Sequence, residues 1–208
     1  MSSLKIAFVP VTAANRFDTI QKNDADLLCE ATSATLSRRA KVDFSIPTFI
    51  DGASLLSTDT TLRDLKGLTG KKVGVLGGTT TEERLRNGLK AANISAEVIP
   101  TKSHTDGIAM LDDGRGSAYF GDRSILLSLI KDSKAPKELG IADTYLTLEP
   151  YALALARGDD DFRLAVDTAL SRIYRTGEIA TIFEQSFGGR AKASDPIMML
   201  YVISALPD

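Results

Sequence analysis

A threonine-rich turn, VLGGTTTEERL at residues 75–85, follows an apolar run and opens a helical pattern. The N–H groups at such a helix start carry about half a positive charge and hold anions, and the hydroxyls of Thr79, Thr80 and Thr81 add donors. The turn lacks both the Gly-Lys-Ser/Thr ending of a phosphate loop and the G-x-G-x-x-G spacing of a dinucleotide turn. A carboxylate therefore fits better than a nucleotide phosphate, while a plain threonine cap is the competing reading of the same residues. Arg38 and Arg39 follow CEATSATLS, so a guanidinium emerges from a short helix beside the hydroxyls of Ser33 and Thr35. Arginine grips a carboxylate through two parallel hydrogen bonds, although an arginine pair on a helix is, taken alone, more often a solvated face. Asp122, in AYFGDRS, stands where a strand gives way to a helix, the crevice position of open α/β sheets. It can receive an ammonium there or cap its own helix. His104, in KSHTDG, is the single histidine. It reads as a ligand donor or as a polar residue at a helix start. A catalytic histidine needs a nucleophile and an orienting acid, and no G-x-S-x-G motif accompanies it, so no residue is assigned a catalytic role. Clustered His and Cys are absent, so no metal site is expected.

The elements that must position these residues alternate. LKIAFVPV (4–11) reads as a strand, followed by a helix capped near Asn15; ADLLCE reads as a second strand with Cys29 buried in it, and TLSRRAK as a short helix with Thr35 as its cap. From Val42 to Ser57 the chain is β-branched and aromatic with a proline inside it, a long extended segment crossing between two bodies. LRDLKG, KKVGVL, TTEERLRNGLKAAN, SAEVIP, HTDGIAMLDDG, GSAYFG and DRSILLSLIKDS then alternate helix and strand, which implies a parallel sheet covered on both faces. A second extended run, DTYLTLEPYALALAR, reads as the return crossing, followed by an amphipathic helical stretch and a short apolar tail, PIMMLYVISAL. Two crossings make one α/β domain an insertion in another: 1–57 with 147–208 as lobe 1, and 58–146 as lobe 2. A cleft between inserted domains is where small ligands usually bind.

Composition narrows the classes. The 208 residues are 43% hydrophobic and 25% charged, with 25 basic and 27 acidic side chains and a net charge of −2. No basic cluster interleaved with aromatics supports nucleic-acid binding. No apolar run approaches the roughly 18 to 20 residues of a membrane span, so no membrane insertion is expected. The lone cysteine has no partner for a disulfide. The start, Met1-Ser-Ser-Leu-Lys-Ile, does not follow a signal-peptide pattern, which points to the cytoplasm for the chain as written.

Together VPVTAANRFDTIQKNDADLLCEATSATLSRR, VDFSIPTF, residues 64–75, GGTTTEE, HTDGIAMLDDGRGSAYFGDR and EPYALALARGDDDF resemble the polar amino-acid-binding proteins of ABC importers. These form solute-binding family 3, with the type II periplasmic-binding fold, and the glutamate/aspartate binders are the most similar group. The resemblance runs over essentially the whole chain, carried by order and spacing. It implies that Arg38, helped by the Ser33 hydroxyl, clamps the ligand's α-carboxylate, that Thr79 and Thr80 complete the clamp, that Asp122 takes the α-ammonium, and that His104 reaches a side-chain carboxylate. It also implies a non-catalytic binder of a polar amino acid, acidic type favoured, without cofactor, closing two lobes by hinge motion, periplasmic and served by an ABC transporter permease if exported. Ala31 stands where the glutamate/aspartate binders tend to have serine, which removes one hydroxyl.

The same resemblance places a strand, a ligand-contacting loop and a helix ahead of the segment that begins here at Leu4, so lobe 1 is expected to be incomplete. The missing strand would lie between the 4–11 strand and the ADLLCE strand, leaving unpaired edges. A homodimer through strand or domain exchange is the expected repair. Two other functions share these features: a dehydratase-like enzyme for prephenate-like acids on the same fold, and a truncated interaction module without ligand.

Overall fold

The structure, a computed structural model, describes residues 5–188 and 192–207. The chain divides into two compact units, residues 1–49 with 150–208 and residues 50–149. It passes from the first to the second within strand β2 (Asp43–Asp51) and returns at the start of β8 (Glu149–Leu155).

Unit 1 is built on a three-stranded sheet in the order β1-β8-β2, where β1 is Leu27–Leu28. Leu27 pairs with Leu155 and Leu28 with Ala154, antiparallel. Helices α1 (Arg16–Gln21) and α2 (Leu36–Arg39) flank these strands in sequence, and Ile20, Leu28, Val42, Phe44, Ala152 and Ala154 form the core. The expected cap is present at Thr35, whose side chain accepts from the Arg38 amide; Asn15 precedes α1 but its side chain accepts from the Thr12 amide, outside the helix, and caps none of the helix's own N–H groups. The amphipathic stretch forms α6 (Asp160–Thr176) and α7 (Glu178–Ser186), parted by Gly177 at φ +76°, a left-handed cap that glycine adopts without a Cβ penalty. The apolar tail is itself a helix, α8 (Asp195–Ser204), with Leu200, Tyr201 and Ser204 buried.

Two expectations for unit 1 fail for one reason. The first strand is absent: residues 5–12 have no ladder partner, and Ile6 and Phe8 are 73% and 92% exposed; Leu4 lies outside the described residues. The second strand shrinks to β1, and Cys29 is exposed rather than buried. A strand exists only when a neighbour takes its N–H and C=O groups, and the apolar pattern alone does not supply one.

Unit 2 carries a five-stranded sheet in the order β5-β4-β6-β3-β7, with β3 Ala53–Ser57, β4 Lys72–Leu76, β5 Glu97–Thr101, β6 Ala118–Asp122 and β7 Gly140–Ile141. Strand β4 pairs parallel with β5 and β6, but β3 runs antiparallel to both β6 and β7, so the sheet is mixed rather than all parallel. The cause is connectivity: β3 arrives from β2 across Gly52 with no helical crossover, and only such crossovers impose parallel pairing. Gly52 is required there, since a Cβ would sit 2.2 Å from the Thr147 carbonyl oxygen. Alternating residues fill the two faces. Leu55, Val73, Val75 and Phe120 pack with Leu85 and Leu89 of α3 (Thr80–Ala91); Leu56 and Tyr119 pack with Ile108 and Met110 of α4 (His104–Asp112) and Leu126 of α5 (Arg123–Leu129). LRDLKG yields a short 3-10 helix, Leu65–Leu68, capped by Asp64. Among the described residues no helix is long and apolar enough to cross a membrane.

Candidate functional site

In unit 2 the chemistry collects at the carboxyl ends of the parallel strands, because the register that aligns Leu76 with Thr101 brings the ends of β4 and β5 together beside that of β6. Helix α3 starts there. Gly78, at φ +74°, turns the chain, and its amide donates to Glu82 Oε2 at 2.9 Å. The Thr79 side chain accepts from the Glu82 amide at 3.2 Å and donates to the Leu76 carbonyl at 2.7 Å. Thr79 is thus a true N-cap, and Thr80 opens the helix.

Asp122 ends β6 and is 8% exposed. Its carboxylate does not cap α5. That role falls to Asp51, whose Oδ2 accepts from the Ser124 amide at 3.1 Å and from the Ser124 hydroxyl. Asp122 instead accepts from the Thr81 hydroxyl at 3.1 Å, which ties the end of β6 to the first turn of α3. The bland assignment of Asp122 as its own helix's cap is therefore wrong, because a carboxylate from another strand already satisfies those donors.

His104 is the first residue of α4, after a reciprocal capping box between Ser103 and Asp106. Its Nδ1 lies 3.0 Å from the Tyr119 hydroxyl, with the rings edge-on. Desolvation pushes the Tyr119 phenol up to about 12, and the nearby carboxylates of Asp106 and Asp122 add to the rise. Tyr119 keeps its proton at neutral pH and can donate it to Nδ1, the arrangement that makes Nε2 the N–H of the imidazole.

In unit 1, Ser33 is 3% exposed and bridges to Tyr151. Arg38 Nη1 donates to the Ser33 carbonyl at 2.8 Å, and its guanidinium carbon lies 5.1 Å from the centre of the Phe17 ring. Arg39 faces the other way, over Phe44 and toward Asp43 at 3.5 Å, half-exposed. The arginine pair thus splits into one residue packed beside Ser33 and one solvated.

Sequence reasoning missed Arg16. It is 4% exposed, pairs with Glu30, and places its guanidinium carbon 5.1 Å from the same Phe17 ring that Arg38 covers. The available signal was its place one turn before the buried Ile20 on α1, which turns both toward the core. Thr32, beside Ser33, is fully buried, and its hydroxyl has no hydrogen-bond partner. Among the described residues no group of three or more His, Cys, Asp or Glu is placed to hold a metal.

The fold and these clusters define a class, the type II periplasmic binding proteins. An ancestral arginine-binding protein bound to glutamine superposes with a TM-score of 0.80 at 25% identity, over 89% of this chain and 81% of that one. The profile of the bacterial extracellular solute-binding proteins, family 3, matches residues 1–189, and the chain belongs to that family. An L-glutamate/L-aspartate-binding protein of Pseudomonas aeruginosa is 30% identical over 90% of this chain, and a glutamate/aspartate import solute-binding protein of Escherichia coli is 26% identical over 88%. The chain spans 62% and 61% of the length of those two relatives. The relatives are named as binding proteins rather than enzymes. An ancestral amino-acid-binding protein described as a precursor of cyclohexadienyl dehydratase shares the fold at a TM-score of 0.76 and 23% identity.

Proposed function

We propose that this chain binds a polar amino acid without transforming it, as the substrate-binding part of an ABC importer that works in the periplasm with a permease. Each unit carries its own share of the recognition chemistry. Unit 1 offers Arg38 with Ser33 for the α-carboxylate. Unit 2 offers the α3 start at Thr79 and Thr80 for the same group, Asp122 for the α-ammonium, and His104 for a polar side chain. The observation that carries the reading is the position of Asp122: it ends β6 at the carboxyl edge of the parallel strands, nearly buried beside the start of α3, and Asp51 rather than Asp122 caps α5. The relatives' names make L-glutamate and L-aspartate the first ligands to test. A thermal-shift screen against the common amino acids is the experiment. A ligand at a hundred times its Kd should add about 2.7 kcal/mol of stability and raise Tm accordingly. A flat response to all of them favours the interaction module instead.

Unit 1 also favours self-association. The exposed apolar run around Ile6 and Phe8 and the two-residue edge strand β1 are complementary needs within one unit, and a second copy can meet both by strand exchange. Light scattering on the purified chain should give twice the monomer mass, 22.3 kDa being the monomer. A monomer at micromolar concentration overturns this part.

A further inference from the structure

We infer that Glu30 is a built-in competitor for the ligand's side chain: its carboxylate occupies Arg16 and so lowers the protein's preference for an acidic amino acid over the corresponding amide. The inference rests on the amino-acid reading above. Three observations within unit 1 carry it. First, Arg16 and Arg38 each lie over the Phe17 ring, 5.1 Å from its centre, so their guanidinium carbons are at most about 10 Å apart. An acidic amino acid, with two carboxylates roughly 5 Å apart and a hydrogen bond of roughly 3 Å at each end, is long enough to reach both groups within that limit. Second, Arg16 is almost fully buried, its Nε has no hydrogen-bond partner, and the unpartnered Thr32 hydroxyl stands in the segment that joins Glu30 to Ser33. Polar groups buried this way are costly unless something satisfies them. Third, the Glu30 side chain is 32% exposed where its partner is 5% exposed. Of the two, Glu30 is therefore the one able to swing away into water.

A ligand carboxylate arriving at Arg16 meets a carboxylate already there. Either it displaces Glu30, giving up that ion pair, or two like charges share one guanidinium, which is strongly unfavourable. A side-chain amide carries no charge and meets no such repulsion. The Glu30 charge thus selects against the acid and not against the amide.

Calorimetric titration of the full chain with L-glutamate and L-glutamine tests this. Glu30→Gln keeps the shape and a hydrogen-bond acceptor but removes the charge, and should move the glutamate-to-glutamine affinity ratio toward glutamate by about tenfold or more. Arg16→Gln leaves Glu30 alone and should move the ratio the other way by a similar factor, so the test survives if the first variant fails to fold. A purely structural ion pair would weaken both ligands together. An unchanged ratio in the folded variants overturns the inference and leaves the amino-acid reading standing. Binding of neither ligand, nor of any other amino acid, by the parent chain overturns both.

Discussion

At the scale of single residues, the cap of α5 comes from an aspartate that sequence position does not suggest. Asp122 adjoins α5 in sequence, yet Asp51, 73 residues from Ser124, caps it. Asp51→Ala should therefore lower unfolding free energy by about 1–2 kcal/mol in urea titrations, the usual loss for a helix cap. Asp122→Ala removes a carboxylate that accepts from the Thr81 hydroxyl and does not cap α5, and should abolish amino-acid binding in a calorimetric titration while the chain stays folded. Cys29 gives an independent check. It is exposed, but partial burial raises its thiol pKa, so less thiolate is present at any given pH. A disulfide-exchange reagent should modify it in the native chain, with a rate still climbing above pH 8.5, the midpoint of an ordinary thiol. Residue types made the Thr79 cap, the Thr35 cap and the place of Arg38 beside Ser33 legible in the sequence. Asp122's partner was not legible, since Thr81 lies 41 residues away and only the β4–β6 register brings them together. Arg16 was passed over because a lone arginine in a short helix looks like surface until its burial is seen.

At the scale of elements, hydrophobic period located nearly every helix and strand of unit 2, where each strand has neighbours to pair with. It failed for residues 5–11, whose apolar residues read as a strand but whose ladder partner is absent among the described residues. Sheet direction was likewise misjudged for β3, since alternation of helix and strand says nothing about a strand that enters from a crossing segment. Helix α4 is where element geometry and site chemistry meet. A Cβ on Gly107 would lie 2.2 Å from the Tyr119 ring, which is fully buried and holds His104. Gly107→Ala should cost about 1–3 kcal/mol by overpacking and should displace His104 from Tyr119, visible as a shift of the imidazole resonances in NMR spectra.

For the whole molecule, tyrosine burial sets the alkaline limit. Tyr119 and Tyr201 are each pushed up to about 12 by desolvation, and Tyr174 is raised further by the same cause with Tyr201 and Asp167 adding to it. Above pH 10 the unfolded chain loses these phenolic protons while the folded one keeps them. The unfolded state then binds fewer protons, and stability falls with rising pH. Denaturant midpoints should accordingly hold steady from these groups' side up to about pH 9 and drop between pH 10 and 12. The central claim, that this family 3 chain recognises an amino acid through Arg38, is tested most directly by calorimetric titration of the parent and of Arg38→Ala with L-glutamate, L-aspartate and their amides. The account expects measurable heat for at least one ligand with the parent and a loss of about a hundredfold or more in the variant. Superimposable isotherms from the two proteins would contradict it.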